Sequence, residues 1–239
     1  MGYYGYYGYG FDWTYLMVLA GAILSLLASA KVNSTFQKYA RVRSMSGMTG
    51  AQVARRILDR NGLSEIPVEH VSGNLSDHYD PTSKVLRLSD STYNSPSVAA
   101  IGVAAHECGH AIQHKESYGP LKLRTAIVPA ANLGSRLGMP IILLGLLFGG
   151  GGSTLVNIGI WVFSLAVLFQ IVTLPVEFNA SGRALVMLED YGILGQEEKR
   201  KAKSVLSAAA MTYVAAAAAS ILQLLRLVIL FGGRNNDRD

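Results

Sequence analysis

Hydrophobic and polar positions divide the 239-residue chain into four long apolar runs separated by polar stretches. Thr14 to Ala30 carries no charge, and Phe11 and Trp13 beside it are suited to a membrane interface. Ala28-Ser29-Ala30 resembles a signal-peptidase site. No basic residue precedes the run and several follow it, which predicts an uncleaved anchor. The second run starts near Ala126 and ends at Phe148. Its most apolar part, Met139 to Phe148, is too short to span alone, and the full length takes in Asn132, Ser135 and Arg136. A charge at that depth is costly, so Arg136 either turns toward a functional site or snorkels to the surface. Gly149 to Ser153 forms an uncharged link to Thr154–Pro175, the clearest span. Val205 to Phe231 is the last run. It is alanine-rich between Ala208 and Ala219, which favours close helix packing, and Arg226 near its far end is placed to snorkel.

The polar stretches carry the signals of a small folded unit. Thr49-Gly-Ala-Gln52 has the form of a capping box, Val53, Ile57 and Leu58 follow at helical spacing, and Asn61-Gly62 ends that helix. Val68–Val71 and Leu75–Leu88 come next, with Asp80-Pro-Thr-Ser83 as a turn and Lys84–Leu88 alternating like a half-buried strand. A β-hairpin is therefore expected, either as a cover for the next helix or with a free edge open to strand addition by a peptide. Ser97 to Ala111 is small, apolar and free of proline, and reads as a helix.

Composition and charge then fix the setting. Half of the residues are apolar, 15% are charged, and mean hydropathy is +0.29, all ordinary for a membrane protein. Cys108 is the sole cysteine, so no internal disulfide is possible. The net charge of +5 comes from basic residues flanking apolar runs, not from a nucleic-acid-binding patch. Twelve Lys and Arg lie in 31–124 and five in 176–204, while the Gly/Tyr-rich tail 1–13 and the glycine link have none. Basic loops stay in the cytoplasm, so both polar regions are expected there and both termini outside. The tail is expected to lie at the membrane interface.

The helix at Ser97–Ala111 contains His106-Glu-Cys-Gly-His110, a match to H-E-x-x-H. Residues four apart share a helical face, so both imidazoles can reach one metal ion, and Glu107 stands beside that face as a general base. Cys108 points away from it and is expected to be a packing residue. A catalytic zinc needs about three protein ligands. His114 lies too far along the helix to share an ion with both His106 and His110, and is expected at the surface or behind the ligands. The longer metzincin pattern fails at Gln113 and Glu116. Glu177 is the better third ligand. It falls just past the cytoplasmic end of the third span, on the side where the H-E-x-x-H helix is expected; the alternative is an ordinary interfacial carboxylate. Asp77, Asp80 and Glu189 stand behind it as substitutes.

These motifs, together with Thr49–Leu58, Asp77-His-Tyr-Asp-Pro81, Val85–Ser89 and Glu177–Ala184, resemble the YugP-type bacterial membrane zinc metallopeptidases of the neutral zinc metallopeptidase family. The Glu177–Ala184 segment is distantly similar to the E-x-x-x-D segment of HtpX/Ste24-type membrane proteases. That resemblance implies Zn²⁺ held by His106, His110 and Glu177. It departs at Ser181, which stands where that group has an Asp that orients a zinc-bound histidine.

The expected fold is a mainly α membrane protein with about four transmembrane helices and a small cytoplasmic zincin-like α+β subdomain. Its expected divisions are 1–31 (tail and first span), 32–125 (metalloprotease subdomain), 126–175 (helical hairpin), 176–204 (third-ligand segment) and 205–239 (last span and tail). The expected activity is hydrolysis of peptide bonds in protein or peptide substrates, including membrane-associated proteins, with the site at the cytoplasmic membrane surface; the resemblance implies that this membrane is a bacterial plasma membrane. Arg183, His78 and Tyr79 are candidates to stabilise the oxyanion, and Ser181 to support a histidine. Two rivals are an intramembrane protease, for which the H-E-x-x-H helix is too short, and a non-catalytic zinc-binding scaffold or adaptor, for which Glu107 has no use.

Overall fold

The computed structural model describes residues 12–149 and 154–232. Most of the Gly/Tyr tail, most of the glycine link and the last seven residues lie outside them, with the interfacial placement expected of the tail. Among the described residues, four helices are long and apolar enough to cross a membrane: α1 (Tyr15–Ala40), α4 (Gly119–Gly149), α5 (Thr154–Asp190) and α6 (Gln196–Phe231). All four run beyond the apolar runs that announce them. Hydropathy reports the part that suits lipid, whereas backbone hydrogen bonding continues the helix into water. So α4 passes without interruption through 125–126, and α5 through Pro175 into the third-ligand segment.

Between α1 and α4 lies the small α+β unit: α2 (Gly50–Arg60), strands β1 (Val68–Val71), β2 (His78–Asp80) and β3 (Val85–Ser89), and α3 (Val98–Lys115). Thr49 caps α2 reciprocally. Its hydroxyl accepts from the Gln52 N–H at 3.3 Å, and its own N–H donates to the Gln52 side chain at 2.9 Å. Gly62, at φ +62°, takes the left-handed turn that leaves the helix.

The expected hairpin is β2–β3, antiparallel with Tyr79 opposite Leu86. Its turn is capped by Asp80, which accepts from the Thr82 and Ser83 N–H groups and the Ser83 hydroxyl. Those bonds hold the Asp80 carboxyl down at about 2. The sheet also has a third member: β1 pairs in parallel with the other side of β3, giving the order β1-β3-β2. β3 is therefore central and β2 is an edge.

The core sits where α2, the sheet and α5 close around α3. Ile57, Leu58, Leu88, Ile101 and Leu188 are fully buried there, each stabilising by roughly 1.5–3 kcal/mol. α3 begins at Ser97, whose hydroxyl accepts from the Ala100 N–H at 3.2 Å. It runs four residues beyond the expected end at Ala111, through Lys115. α4 follows after a short link through Ser117, at φ +57°.

Candidate active site

His106 and His110 lie one turn apart on α3, and their Nε2 atoms stand 3.1 Å from each other. α5 brings Glu177 against them. Its Oε2 is 3.4 Å from His106 Nε2 and 3.6 Å from His110 Nε2. One ligand atom from each of the three residues lies within 4.8 Å of the others. Glu177 is 3% exposed, and Oε2 is buried with no hydrogen-bond partner among the described residues. A buried carboxylate oxygen without a donor is costly. Two imidazole nitrogens and a carboxylate oxygen, converging on one point with one oxygen unsatisfied, form a donor set that suits zinc.

The opposite ring nitrogens are also engaged. His110 Nδ1 lies 3.0 Å from Gln113 Oε1, so its Nδ1–H donates and its Nε2 lone pair faces the cluster. Gln113 is fully buried, and its Nε2 donates to the Val176 carbonyl and to Asn179 Oδ1, both at 2.9 Å. Asn179 Oδ1 accepts again from Arg183 Nε at 2.8 Å, and Arg183 pairs with Glu116 at 2.7 Å. This chain of contacts holds His110 to α5. His106 Nδ1 meets Ser181 Oγ at 3.1 Å.

Close backbone packing makes these contacts possible. A Cβ on Gly109 would stand 2.7 Å from the Ala180 carbonyl oxygen, so only glycine lets α3 approach α5 this closely. Cys108 faces the other way. It is buried, its Sγ lies 3.6 Å from the Ala54 carbonyl, and burial pushes its thiol well above the ordinary range.

Glu107 is also mostly buried and accepts the Tyr79 N–H at 3.0 Å, through Oε2. The outer edge of β2 thus borders the cluster. Tyr79 leans on α3, its hydroxyl 2.9 Å from His114 Nδ1, and burial together with the charges of Asp80 and Glu65 raises its phenol pKa. This contact holds His114 against Tyr79, one turn beyond His110.

The cluster opens into a cleft of about 350 Å³, bordered by His78, Tyr79, Arg124, Val128 and Tyr213. Of the residues read from sequence, the structure brings His106, His110, Glu107, Glu177, Ser181 and Tyr79 together. His78 is exposed at the rim, bonded to the Ser76 carbonyl at 2.8 Å. Arg183 stands behind the cluster, on Asn179 and Glu116. The three substitute ligands are occupied elsewhere: Asp77 by Ser89, Asp80 by its own turn, and Glu189 by Gln196 and Lys199.

Sequence reasoning missed Gln113, Asn179, Arg124 and Tyr213. Arg124 reaches the cleft because α4 starts at Gly119, which sets its guanidinium 3.8 Å from Glu177 Oε1. Gln113 carried a readable signal, since it lies three residues beyond His110 on the same helical face.

Residues 14–232 match the family described as "Putative neutral zinc metallopeptidase". The chain belongs to this zinc metallopeptidase family. It is also 50% identical over 222 residues to the "Putative membrane protease YugP" of Bacillus subtilis (strain 168), covering 92% of this chain and 98% of the relative. No solved structure matches it. Zinc is thus the metal of the family, and peptides or proteins are the substrates that a protease implies.

Proposed function

We propose that the protein is a membrane-embedded, zinc-dependent endopeptidase whose site opens at the cytoplasmic membrane surface. The observation that carries this reading is the convergence of His106, His110 and Glu177, with Glu177 Oε2 buried and unsatisfied. Those three residues would hold the ion. When bound, zinc would polarise the scissile carbonyl and ease deprotonation of the attacking water.

Glu107 is the general base in this reading. Its carboxylate takes a proton from water as the oxygen attacks the carbonyl carbon. It then delivers that proton to the amide nitrogen as the C–N bond breaks, leaving a new carboxyl and a free amine. The Tyr79 N–H orients the carboxylate while one oxygen remains free for the proton. Arg124 and Tyr213, in the cleft wall, are the side chains best placed to meet the oxyanion. The cytoplasmic orientation is supported by the basic residues of 31–124 and 176–204 against their absence from the N-terminal tail and the glycine link.

The test is the zinc content of the detergent-purified protein, beside Glu177→Ala, His110→Ala and Glu107→Gln. About one zinc per chain is expected in the wild type and in Glu107→Gln. Zinc should be lost in the other two, and peptidase activity lost in all three variants. Zinc retained in Glu177→Ala would remove it as the third ligand. A Glu107→Gln variant that keeps full cellular function would favour a zinc-binding scaffold instead.

A further inference from the structure

α4 and α6 both pack along α5, yet they do not lie side by side over their whole length. At the far end the three helices converge, where Ile142, Val156 and Leu227 are buried together against Phe163 and Phe231. Slightly nearer the site, Gln223 of α6 still reaches Met139 of α4, at 3.9 Å. At the near end Thr125 and Val128 of α4 and Tyr213 of α6 are opposite walls of the active-site cleft. The two helices therefore bound a wedge that is closed at Met139 and Gln223 and continuous with the cleft at Val128.

Helical geometry fixes what lies along that wedge. Val128, Asn132, Ser135 and Met139 fall on one stripe of α4, and Arg136 is at its edge. Asn132, Ser135 and Arg136 are exposed. Their depth is set by α5. Gly134 packs on Val162 and Ala166, and Gly138 on Phe163, the middle of the apolar run Thr154–Pro175. Arg136 is thus at mid-membrane level, about 16 Å along α4 from Thr125. Among the described residues, no carboxylate lies within ion-pair distance of Arg136. A guanidinium at that depth is costly unless it is paired or faces a polar path, and its complement is a carboxylate.

We propose that the wedge between α4 and α6 is a lateral docking groove. Its occupant is a substrate's membrane-spanning segment that carries an acidic side chain at mid-membrane depth. Arg136 pairs with that carboxylate, Asn132 offers its amide to the segment's polar groups, and the near end of the segment is led into the cleft at Val128. This rests on the peptidase reading for what happens at the cleft. Docking itself does not require cleavage.

The experiment uses the full-length Glu107→Gln protein in phosphatidylcholine vesicles with a photocrosslinking side chain at Ser135. The probes are two synthetic single-span peptides, identical except for Asp or Leu at mid-span. Preferential capture of the Asp peptide is expected, with at least a tenfold drop in yield in Arg136→Leu. A capture-neutral variant on α2, outside the membrane-spanning helices, Arg60→Ala, should leave the yield unchanged. Equal capture of both peptides, or capture insensitive to Arg136→Leu, would overturn the proposal. So would a crosslink to a second copy of the chain, which would assign the face to a dimer, or one to lipid alone. Failure of the peptidase reading would look different: selective capture by the Glu107→Gln protein, with no cleavage of any peptide by the wild type.

Discussion

The buried Gln113 ties metal binding to the packing of α3 on α5, and replacing it by Leu separates the two. Gln113→Leu keeps the volume and helix propensity close while removing one acceptor and two donors. The acceptor held His110 Nδ1–H, at 3.0 Å. Its loss leaves the ring free to rotate and Nε2 free to leave the cluster, an effect of 10–100-fold on metal affinity, or about 1.4–2.7 kcal/mol. The donors held the Val176 carbonyl and Asn179 Oδ1, each at 2.9 Å. Asn179 keeps Arg183 and the Val176 carbonyl keeps its place in the α5 hydrogen-bond ladder, so loss of this side-chain donor costs about 0.5–1.5 kcal/mol of stability. Chelator competition would give the zinc affinity, and thermal unfolding of zinc-free protein the stability. Gln113→Glu is the control. It restores an acceptor for His110 but no donor for Val176, so zinc affinity should stay near wild type while stability still falls. Zinc affinity in Gln113→Leu within twofold of wild type would refute the claim that Gln113 orients His110.

Gly109→Ala should destabilise by about 1–3 kcal/mol, because the new methyl meets the Ala180 carbonyl at 2.7 Å and neither backbone can yield freely. Thermal unfolding and zinc content together would detect it, and an unchanged midpoint would show that the helices have slack. The Asp80 carboxyl, held at about 2 below its ordinary 3.8, stabilises the hairpin fully above pH 4, and this is lost as pH falls through 2. Wild type should therefore lose its advantage over Asp80→Asn between pH 4 and 2, measured by amide exchange in β3; a constant difference would remove Asp80 as the cause.

The parts of this protein legible in its sequence are those whose signal is local. H-E-x-x-H has a fixed helical spacing, the capping box at Thr49 lies within four residues, and Asp80-Pro81 announces its own turn. Glu177 was legible for another reason: charge placement along the chain put it on the side of the membrane where the H-E-x-x-H helix was expected. What stayed hidden depends on partners distant in sequence. Gln113, His114 and Lys115 look like a polar exit from a helix, so α3 was expected to end at Ala111. Gln113 is polar because it bonds to α5, not because it meets water. Arg124 sat in a stretch too mixed to read as a span, yet the helix starts at Gly119 and aims it at Glu177. The parallel pairing of β1 with β3 was hidden too, since alternation identifies a strand but not its neighbour.

α5 carries the third candidate ligand on the same continuous helix as a membrane span, so any tilt of that span would move Glu177 against α3. Two contacts oppose such movement, and they flank Glu177 in sequence: Gln113 holds the Val176 carbonyl, and Gly109 seats against Ala180. One is a hydrogen bond and the other a close steric fit, but both fix the same spacing between the same two helices. Their losses should therefore not add. Once Gly109→Ala has pushed α3 from α5, the Gln113 bond to Val176 is already stretched, and removing it costs less than in the wild type. A double-mutant cycle on unfolding free energy should give a coupling of about 0.5–3 kcal/mol, less than the sum of the single effects. Additivity within about 0.5 kcal/mol would mean that the helices are held apart or together elsewhere, and that Glu177 is positioned by α5 alone.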